Sequence, residues 1–342
     1  MRARWMTLAA LAAAVAVAHP RDIAATAPAA PQAPDVALAP EGGATLLSYN
    51  VEGLPWPVRF GRAAAADRIA ASLAGLRAEG RQPHIVAVQE AFSGEAQAIG
   101  ARAGYAYRAL GPAPEMPGAA PRSAADLAFA NQARVWRGEA LGKAENSGLA
   151  LFSDYPILWT RAVAFPDYAC AGWDCLANKG VLLVALQRPG EARPLIVADT
   201  HLNARGASGA SGSRSGYAYR RQVDALRAAL AAVPGDADLL LAGDFNIGGD
   251  PAREAVMRVA LFAPLGLRAA AVEAACGATC RRPTLPGPDA AGALAGAKSL
   301  IAYRAGLGSH FAPAGLLGHF GGAGGQMLSD HVGIERRFLA RG

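Results

Sequence analysis

Apolar runs of strand length recur along the chain, and helical patterns or glycine-rich turns separate them. Nearly continuous runs such as Ile85–Val88 and Leu239–Ala242 are typical of strands that are buried on both faces. Ala63–Ala78 and Tyr217–Ala232 instead carry apolar residues at helical spacing, and each segment ends close to a glycine. This pattern predicts a layered α/β or α+β domain rather than a helical bundle. The predicted strands are Thr45–Val51, His84–Glu90, Gly148–Ser153, Gly180–Gln187, Leu195–His201, Asp238–Asp244 and His331–Phe338.

Polar side chains lie at the ends of several predicted strands. A charged group behind a buried apolar run must be solvated, paired or bound to a metal, because an unpaired buried charge is costly. One such residue is more often a cap or a turn residue, but several of mixed type indicate a site. Ends of several strands can meet at one rim, and mainly oxygen ligands favour magnesium or manganese over zinc. The candidates are Asn50, Glu90, His201, Asp244, Asn246, Asp330 and His331.

The first 43 residues have the composition of a targeting segment followed by a linker. Two arginines precede the apolar run Leu8–Val17, and a cleavage sequence of the A-x-A type ends at Ala18. The run is shorter than the roughly 20 residues that cross a bilayer. We predict a signal peptide over 1–18, an Ala/Pro-rich linker over 19–43 and one folded domain over 44–342. The protein is therefore expected to be secreted or periplasmic.

The four cysteines fall into two close pairs, Cys170 with Cys175 and Cys276 with Cys280. In an exported chain this spacing predicts two local disulfides. Zinc is the alternative, but it would bring together thiolates from segments about 100 residues apart, and neither pair has the usual C-x-x-C spacing.

Composition narrows the class of protein and of partner. With 52% hydrophobic and 18% charged residues the chain can bury a large core, which excludes a disordered protein. Its net charge of +6 favours anionic partners such as nucleic acid, phospholipid headgroups or inositol phosphates. The glycine patterns of serine hydrolases and of dinucleotide-binding folds are missing from the sequence. No obligate protein partner is evident.

Five short motifs resemble, in order, those of the endonuclease/exonuclease/phosphatase (deoxyribonuclease I-like) superfamily, over about residues 44 to 338. The resemblance implies a four-layer α/β (α+β) sandwich, in which two mixed β-sheets pack face to face and are flanked by helices. It also implies hydrolysis of a phosphate ester by in-line attack of water. The motifs are Ser48-Tyr49-Asn50, Val88-Gln89-Glu90, Thr200-His201-Leu202, Gly243-Asp244-Phe245-Asn246 and Ser329-Asp330-His331.

The resemblance further implies that the reaction depends on a divalent cation. Glu90 would ligate Mg²⁺, with Mn²⁺ as the other candidate ion. Asn50 would hydrogen-bond within the shell of the metal and phosphate, and Asp330 would help to position the metal or His201. A dianionic transition state needs a cation and fixed hydrogen-bond donors, which agrees with these roles.

The remaining motif residues would act on water and phosphate. Asp244 would orient or activate the attacking water, Asn246 would hold the phosphate, and His201 would donate hydrogen bonds to its non-bridging oxygens. His331 would be the general base or acid. Many family members pair this histidine with an aspartate on a preceding strand, but the matching stretch here has no carboxylate. Ser299 is the candidate substitute, and we expect it to face His331.

These motifs leave the substrate open, because nucleases, inositol phosphatases and sphingomyelinases share them. The segment Cys175–Leu182 resembles the Asn/Ser-Lys-Gly segment that precedes a strand in neutral sphingomyelinases. We therefore favour a phospholipid phosphodiester over nucleic acid and inositol phosphates. A binding protein that retains the fold without activity is the alternative from another class. Asn178, Lys179 and Arg205 are predicted to bind the anionic substrate.

Two further features concern the partner. The stretch Gly206–Gly216 is rich in glycine and serine, and four arginines lie in or near it, namely Arg205, Arg214, Arg220 and Arg221. This segment is either a mobile basic lid over the substrate or a flexible surface loop without a function. Five aromatic residues could contact a membrane surface, although we expect most of them to be buried in the core. They are Trp56, Phe60, Trp136, Trp159 and Trp173.

Overall fold

The computed structural model describes residues 43–54, 59–274, 297–321 and 326–340. The predicted signal peptide, nearly all of the predicted linker, Trp56, Cys276 and Cys280 lie outside the described residues. Among the helices that are described, none is both long enough and apolar enough to cross a membrane.

Within the described residues, twelve strands form two six-stranded sheets. The strands are β1 Ala44–Asn50, β2 Ile85–Gln89, β3 Tyr107–Leu110, β4 Ala150–Ser153, β5 Ile157–Ala164, β6 Gly180–Leu186, β7 Leu195–His201, β8 Asp238–Asp244, β9 Arg268–Ala274, β10 Ala297–Arg304, β11 Phe311–His319 and β12 Gly333–Ala340. Sheet 1 has the order β11-β12-β1-β2-β4-β3, and sheet 2 has the order β5-β6-β7-β8-β10-β9.

Helices connect the strands and cover the outer faces of the sheets. They are α1 Arg62–Ala78, α2 Gly94–Gln97, α3 Ile99–Arg102, α4 Ala124–Ala130, α5 Gly212–Ala231, α6 Pro251–Val256 and α7 Ala263–Leu265. A π-helical segment, Met257–Phe262, joins α6 to α7, and two 3₁₀ turns span Val135–Arg137 and Gly172–Leu176.

Each sheet contains one parallel pair of strands joined through a long helix. Helix α1 links β1 to β2, and helix α5 links β7 to β8, whereas the other described pairs are antiparallel. A helical crossover returns the chain to the same end of the sheet, so both strands of a pair finish at the same edge. Asn50 is accordingly opposite Gln89, and His201 is opposite Asp244. The register therefore brings polar strand ends together on each sheet.

Apolar side chains fill three layers between these elements. Leu46 of sheet 1 and Val197 of sheet 2 belong to the core between the sheets. Leu73 of α1 packs on the outer face of sheet 1, and Leu226 of α5 packs on the outer face of sheet 2. Each such side chain contributes about 1.5–3 kcal/mol through burial. The order helix, sheet, sheet, helix confirms the predicted four-layer sandwich.

The observed elements differ from the predicted ones in two starting points and in five strands that were not predicted, which are β3, β5, β9, β10 and β11. The last strand begins at Gly333 rather than His331, so the Ser-Asp-His motif lies in the loop before it. Strand β5 was not predicted, because half of its residues are exposed and give no apolar alternation. Helix α5 begins at Gly212, five residues before the predicted Tyr217, because glycine and serine there weaken the helical signal.

Candidate active site

Asn50 connects carboxylates from the two sheets. It is the last residue of β1, and Glu90 follows β2 with a positive φ of 59° that turns the chain out of the sheet. The Asn50 Nδ2 donates to Glu90 Oε1 at 2.8 Å and to Asp244 Oδ2 at 3.1 Å. One amide group therefore holds together a carboxylate of sheet 1 and a carboxylate of sheet 2.

Asp244, at the end of β8, lies between two imidazoles. Its Oδ2 is 3.7 Å from Nε2 of His201 and 3.5 Å from Nε2 of His331. Its Oδ1 accepts from the backbone N–H of Asn246 at 3.0 Å. The preceding Gly243 is required for this geometry, because a Cβ there would lie 2.2 Å from the carbonyl oxygen of Thr200.

A hydroxyl fixes the loop that carries His331. Ser329 Oγ donates to the carbonyl oxygen of Asn50 at 2.7 Å and accepts from the backbone N–H of His331 at 3.2 Å. The other ring nitrogen, His331 Nδ1, lies 3.3 Å from Ser299 Oγ. Ser299 is paired with Asp244 across β10 and β8. The structure thus places Ser299 beside His331, as the sequence predicted.

Lys179 is buried beside His201. Its Nζ lies 2.9 Å from Asp174 Oδ2, 3.3 Å from His201 Nε2 and 3.2 Å from the carbonyl oxygen of Leu202. Asp174 also accepts from the backbone N–H of Ala204. Sequence reasoning missed Asp174, which lies in a 3₁₀ turn rather than at a strand end. Its only signal was its position in the short loop before the Asn-Lys-Gly segment.

A disulfide joins Cys170 to Cys175, which confirms this predicted pair. The loop that it closes carries Asp174, so the covalent link restricts the segment that places this carboxylate beside Lys179. The second predicted pair lies outside the described residues.

Burial and neighbouring charges shift the pKa values of the site residues in different directions. Burial, with the nearby Asp244 carboxylate, raises the pKa of Glu90 to about 7. Burial also tends to raise the pKa of Asp244, but the imidazoles of His331 and His201 outweigh it and lower that pKa to about 2. Burial, followed by the Lys179 ammonium, lowers the pKa of His201 to about 4. At neutral pH Asp244 is therefore ionised and His201 is neutral.

A further carboxyl group lies beneath the site, between the sheets. Asp199 on β7 is fully buried and accepts from Nε2 of Gln89 at 2.7 Å. Burial raises the pKa of Asp199 well above its ordinary value. Sequence reasoning missed this pair, because an isolated Asp or Gln inside a strand gives no periodic signal. The pair connects the strands that end at Glu90 and His201.

The residues at the rim fit a divalent cation. Glu90, His201 and Asp244 offer ligand atoms that lie within 4.8 Å of one another. The raised pKa of Glu90 reflects two close carboxylates in a buried setting, which a cation would stabilise in their ionised forms. Mostly oxygen donors suit Mg²⁺ or Mn²⁺. Asp330, predicted to position the metal or His201, is half-exposed, and its Oδ1 lies 3.8 Å from His331 Nε2.

The other predicted substrate-binding residues occupy different surroundings. Asn178 is buried, and its Nδ2 donates to the carbonyl oxygens of Ala113 and Met116 at 2.7 and 2.8 Å, so it anchors a loop. Arg205 is exposed, 3.9 Å from Asp250. Asn246, by contrast, lies in the site, where its Nδ2 is 3.2 Å from His201 Nε2.

Two surface interpretations need correction. Part of Gly206–Gly216 is the start of α5, and Arg214 is buried there and paired with Glu139, so Arg214 is not part of a mobile lid. The expected burial of aromatic residues is wrong for the four that the structure describes. Exposed are Phe60, Trp136, Trp159 and Trp173.

Comparisons with known proteins agree with the fold. The chain matches the model of the Endonuclease/Exonuclease/phosphatase family over residues 47–292. No curated protein matches it. It is similar to the solved structure of sphingomyelinase C from Streptomyces griseocarneus, at 22% identity and a TM-score of 0.57 over 86% of this chain and 99% of that chain.

Two other solved structures are similar to a comparable degree. One is a mutant beta toxin from Staphylococcus aureus with bound magnesium ions, at 17% identity and a TM-score of 0.58 over 86% of this chain and 98% of that chain. The other is D. rerio TDP2 complexed with single-strand DNA product, at 15% identity and a TM-score of 0.56 over 87% of this chain and 100% of that chain. At these identities the likeness is one of fold. The match to the family model, over more than half of the chain, shows that the protein belongs to the endonuclease/exonuclease/phosphatase family.

Proposed function

We propose that the protein is a magnesium-dependent phosphodiesterase that hydrolyses a phospholipid of the sphingomyelin type. The observation that carries the proposal is the convergence of Glu90 and Asp244 on one amide, Asn50, beside two histidines. Two carboxylates can hold a cation, and the neighbouring ring and amide nitrogens can hold a phosphate oxygen or move a proton. This set suits hydrolysis of a phosphate ester.

Glu90, with Asp244 and Asn50, would hold the cation, which when bound neutralises charge on the phosphate. Asp244 is ionised at neutral pH and kept in place by two hydrogen bonds, so it can accept a hydrogen bond from the attacking water and orient it. His331 Nε2 lies 3.5 Å from Oδ2 of Asp244, where it can take a proton from the water or return one. Ser299 orients the opposite ring nitrogen.

Positive charge on the other side of the site would come from Lys179. Because an ammonium group only donates, Nε2 of the neutral His201 accepts from it. Asn246 Nδ2 lies at the same ring nitrogen. Nε2 of His201 has one lone pair and accepts from only one of these two donors, so the other one can donate to a phosphate oxygen. Asp174 holds the lysine in position.

Three observations support a phospholipid over nucleic acid. The Asn-Lys-Gly segment, which resembles that of neutral sphingomyelinases, places its lysine in the site. Similar solved structures include a sphingomyelinase C. Exposed tryptophans lie on the surface, where they favour a membrane interface. Nucleic acid is the second candidate, because the fold is equally similar to TDP2 complexed with a DNA product and the chain is basic.

A direct comparison of substrates tests the proposal. Sphingomyelin, phosphatidylcholine, plasmid DNA and inositol phosphates are incubated with the protein and Mg²⁺, with and without EDTA. We expect release of phosphocholine from sphingomyelin to be fastest, and to require the cation. Glu90→Ala should abolish it, whereas Glu95→Ala, which alters an exposed carboxylate on α2, should not. Faster cleavage of plasmid DNA would assign a nuclease, and chelator-resistant activity of Glu90→Ala would reject the metal role.

We also propose export through the predicted signal peptide, which the disulfide at Cys170–Cys175 supports because such bonds persist in oxidising compartments. Expression in a bacterial host with separation of periplasm and medium from the cytosol tests it. The exported chain should begin after Ala18 by N-terminal sequencing. Retention of the full-length chain in the cytosol would reject export.

A further inference from the structure

Two tryptophans and a valine are exposed on two 3₁₀ turns that touch one another, and we call these three residues the tryptophan surface. Val135 and Trp136 lie on the 3₁₀ turn 135–137, and Trp173 lies on the turn 172–176. Their exposed fractions are 56%, 72% and 50%. Single exposed apolar residues are common, but large aromatic side chains grouped together usually mark a contact surface.

The two turns are fixed to one another. The ring of Trp173 packs on Gly138, where an added Cβ would lie 2.8 Å from it. Glu139, with a side chain only 1% exposed, accepts from the backbone N–H of Gly172 at 3.0 Å and from that of Arg134 at 3.1 Å. A buried carboxylate thus holds both tryptophan-bearing segments, so their side chains are presented on a rigid base.

This surface adjoins the candidate site. Trp173 directly precedes Asp174 in the same turn, and Asp174 Oδ2 is 2.9 Å from Lys179 Nζ. The same Nζ lies 3.3 Å from Nε2 of His201. A large ligand that covers the tryptophan surface would therefore lie within a few side-chain contacts of His201.

Charge and side-chain type together indicate which partner binds the tryptophan surface. Exposed Arg134 and Arg137 flank Trp136, and the Arg134 guanidinium lies 5.9 Å from the indole ring. Tryptophan is favoured at the depth of lipid headgroups, and arginine is attracted to their phosphates. We infer that Val135, Trp136 and Trp173, with these two arginines, dock the protein on a phospholipid bilayer. The docking itself does not depend on the proposed function. Only the role of the docking, which is to present a lipid phosphodiester to the site, rests on the proposed function.

Vesicle sedimentation tests the docking surface without reference to turnover. Large unilamellar vesicles of sphingomyelin and phosphatidylcholine, with and without phosphatidylserine, are pelleted with the wild-type chain, Trp136→Ala and Trp159→Ala. Trp159 is a matched control, because it is an exposed tryptophan on strand β5. We expect Trp136→Ala to lose about tenfold in partitioning and Trp159→Ala to keep the wild-type value. Phosphatidylserine should strengthen wild-type binding, and Arg134→Gln should remove that gain.

Hydrolysis assays then separate this inference from the proposed function. With vesicle sphingomyelin, Trp136→Ala should lose activity about as much as it loses binding, while its activity on soluble bis(p-nitrophenyl) phosphate stays near that of the wild type. Equal sedimentation of the wild type and Trp136→Ala would overturn the docking surface, as would an equal loss in Trp159→Ala. A wild type that binds vesicles through Trp136 but hydrolyses no phosphodiester would refute the proposed function and leave the docking surface standing.

Discussion

Replacing Glu90 by glutamine should stabilise the metal-free protein while destroying its activity. The glutamine keeps the shape of the side chain, and its amide oxygen can still accept from Asn50 Nδ2. It removes only the charge that burial and the Asp244 carboxylate disfavour. Without a cation, the wild-type carboxylate is therefore a cost to folding that the variant avoids.

The size of this effect follows from the pKa shift. The pKa of Glu90 rises from 4.5 to about 7 on folding, and one unit corresponds to about 1.4 kcal/mol. The full shift would be worth about 3.5 kcal/mol, which we reduce to about 2 kcal/mol because the carboxyl group is partly exposed. A raised carboxyl pKa gives stability that is complete below 4.5 and is lost as the pH rises through about 7.

Denaturant unfolding of the EDTA-treated proteins at about pH 4 and about pH 8 measures the effect. Glu90→Gln should exceed the wild type by about 2 kcal/mol at the higher pH and match it at the lower pH. Added Mg²⁺ should stabilise only the wild type, because its site binds the ion to the folded state. Glu95→Gln, on the surface of α2, is the control. An identical pH dependence in Glu90→Gln and wild type would refute a buried, destabilised charge at this position.

Three further outcomes are expected. Ser299→Asp should move the acid limb of the rate profile to higher pH by about 1–2 units, because a carboxylate beside Nδ1 stabilises the charged form of His331. Ser299→Ala should slow turnover modestly. Unchanged pH profiles in both variants would contradict the contact between Ser299 and His331. Lys179→Met should lower kcat about tenfold or more with an unchanged circular dichroism spectrum, since a buried ammonium beside His201 is lost. Thiol titration of the denatured protein should find no free thiol, whereas four would reject both predicted disulfides, and Cys175→Ser should cost about 2 kcal/mol of stability for so short a loop.

The sequence predicted the layers of this fold because buried strands and amphipathic helices have distinct apolar periods. It predicted the rim residues because Asn50, Glu90, His201 and Asp244 each stand at the end of a strong apolar run. The motif resemblance then supplied the order in which they meet. The family assignment and the four-layer architecture are confirmed, while the catalytic roles of these residues remain predictions.

Other features depend on long-range contacts that leave no local pattern. Asp174 lies in a 3₁₀ turn, and only the folded loop shows that it holds Lys179. Asn178 and Lys179 are neighbours between the 3₁₀ turn and β6, yet Asn178 anchors a loop and Lys179 contacts His201, a distinction that backbone direction decides. From the sequence, Arg214 is typical of a basic surface loop, and only the folded structure shows that it is buried and paired with Glu139.

The division of the site between the two sheets affects when, during folding, the protein gains activity. Asn50 and Glu90 come from sheet 1, and His201 and Asp244 come from sheet 2, so neither sheet alone holds a complete constellation. A half-assembled chain can have nearly all of its secondary structure and still be unable to turn over substrate. We expect enzymatic competence to return after circular dichroism during refolding, with the delay reporting the docking of one half of the molecule onto the other.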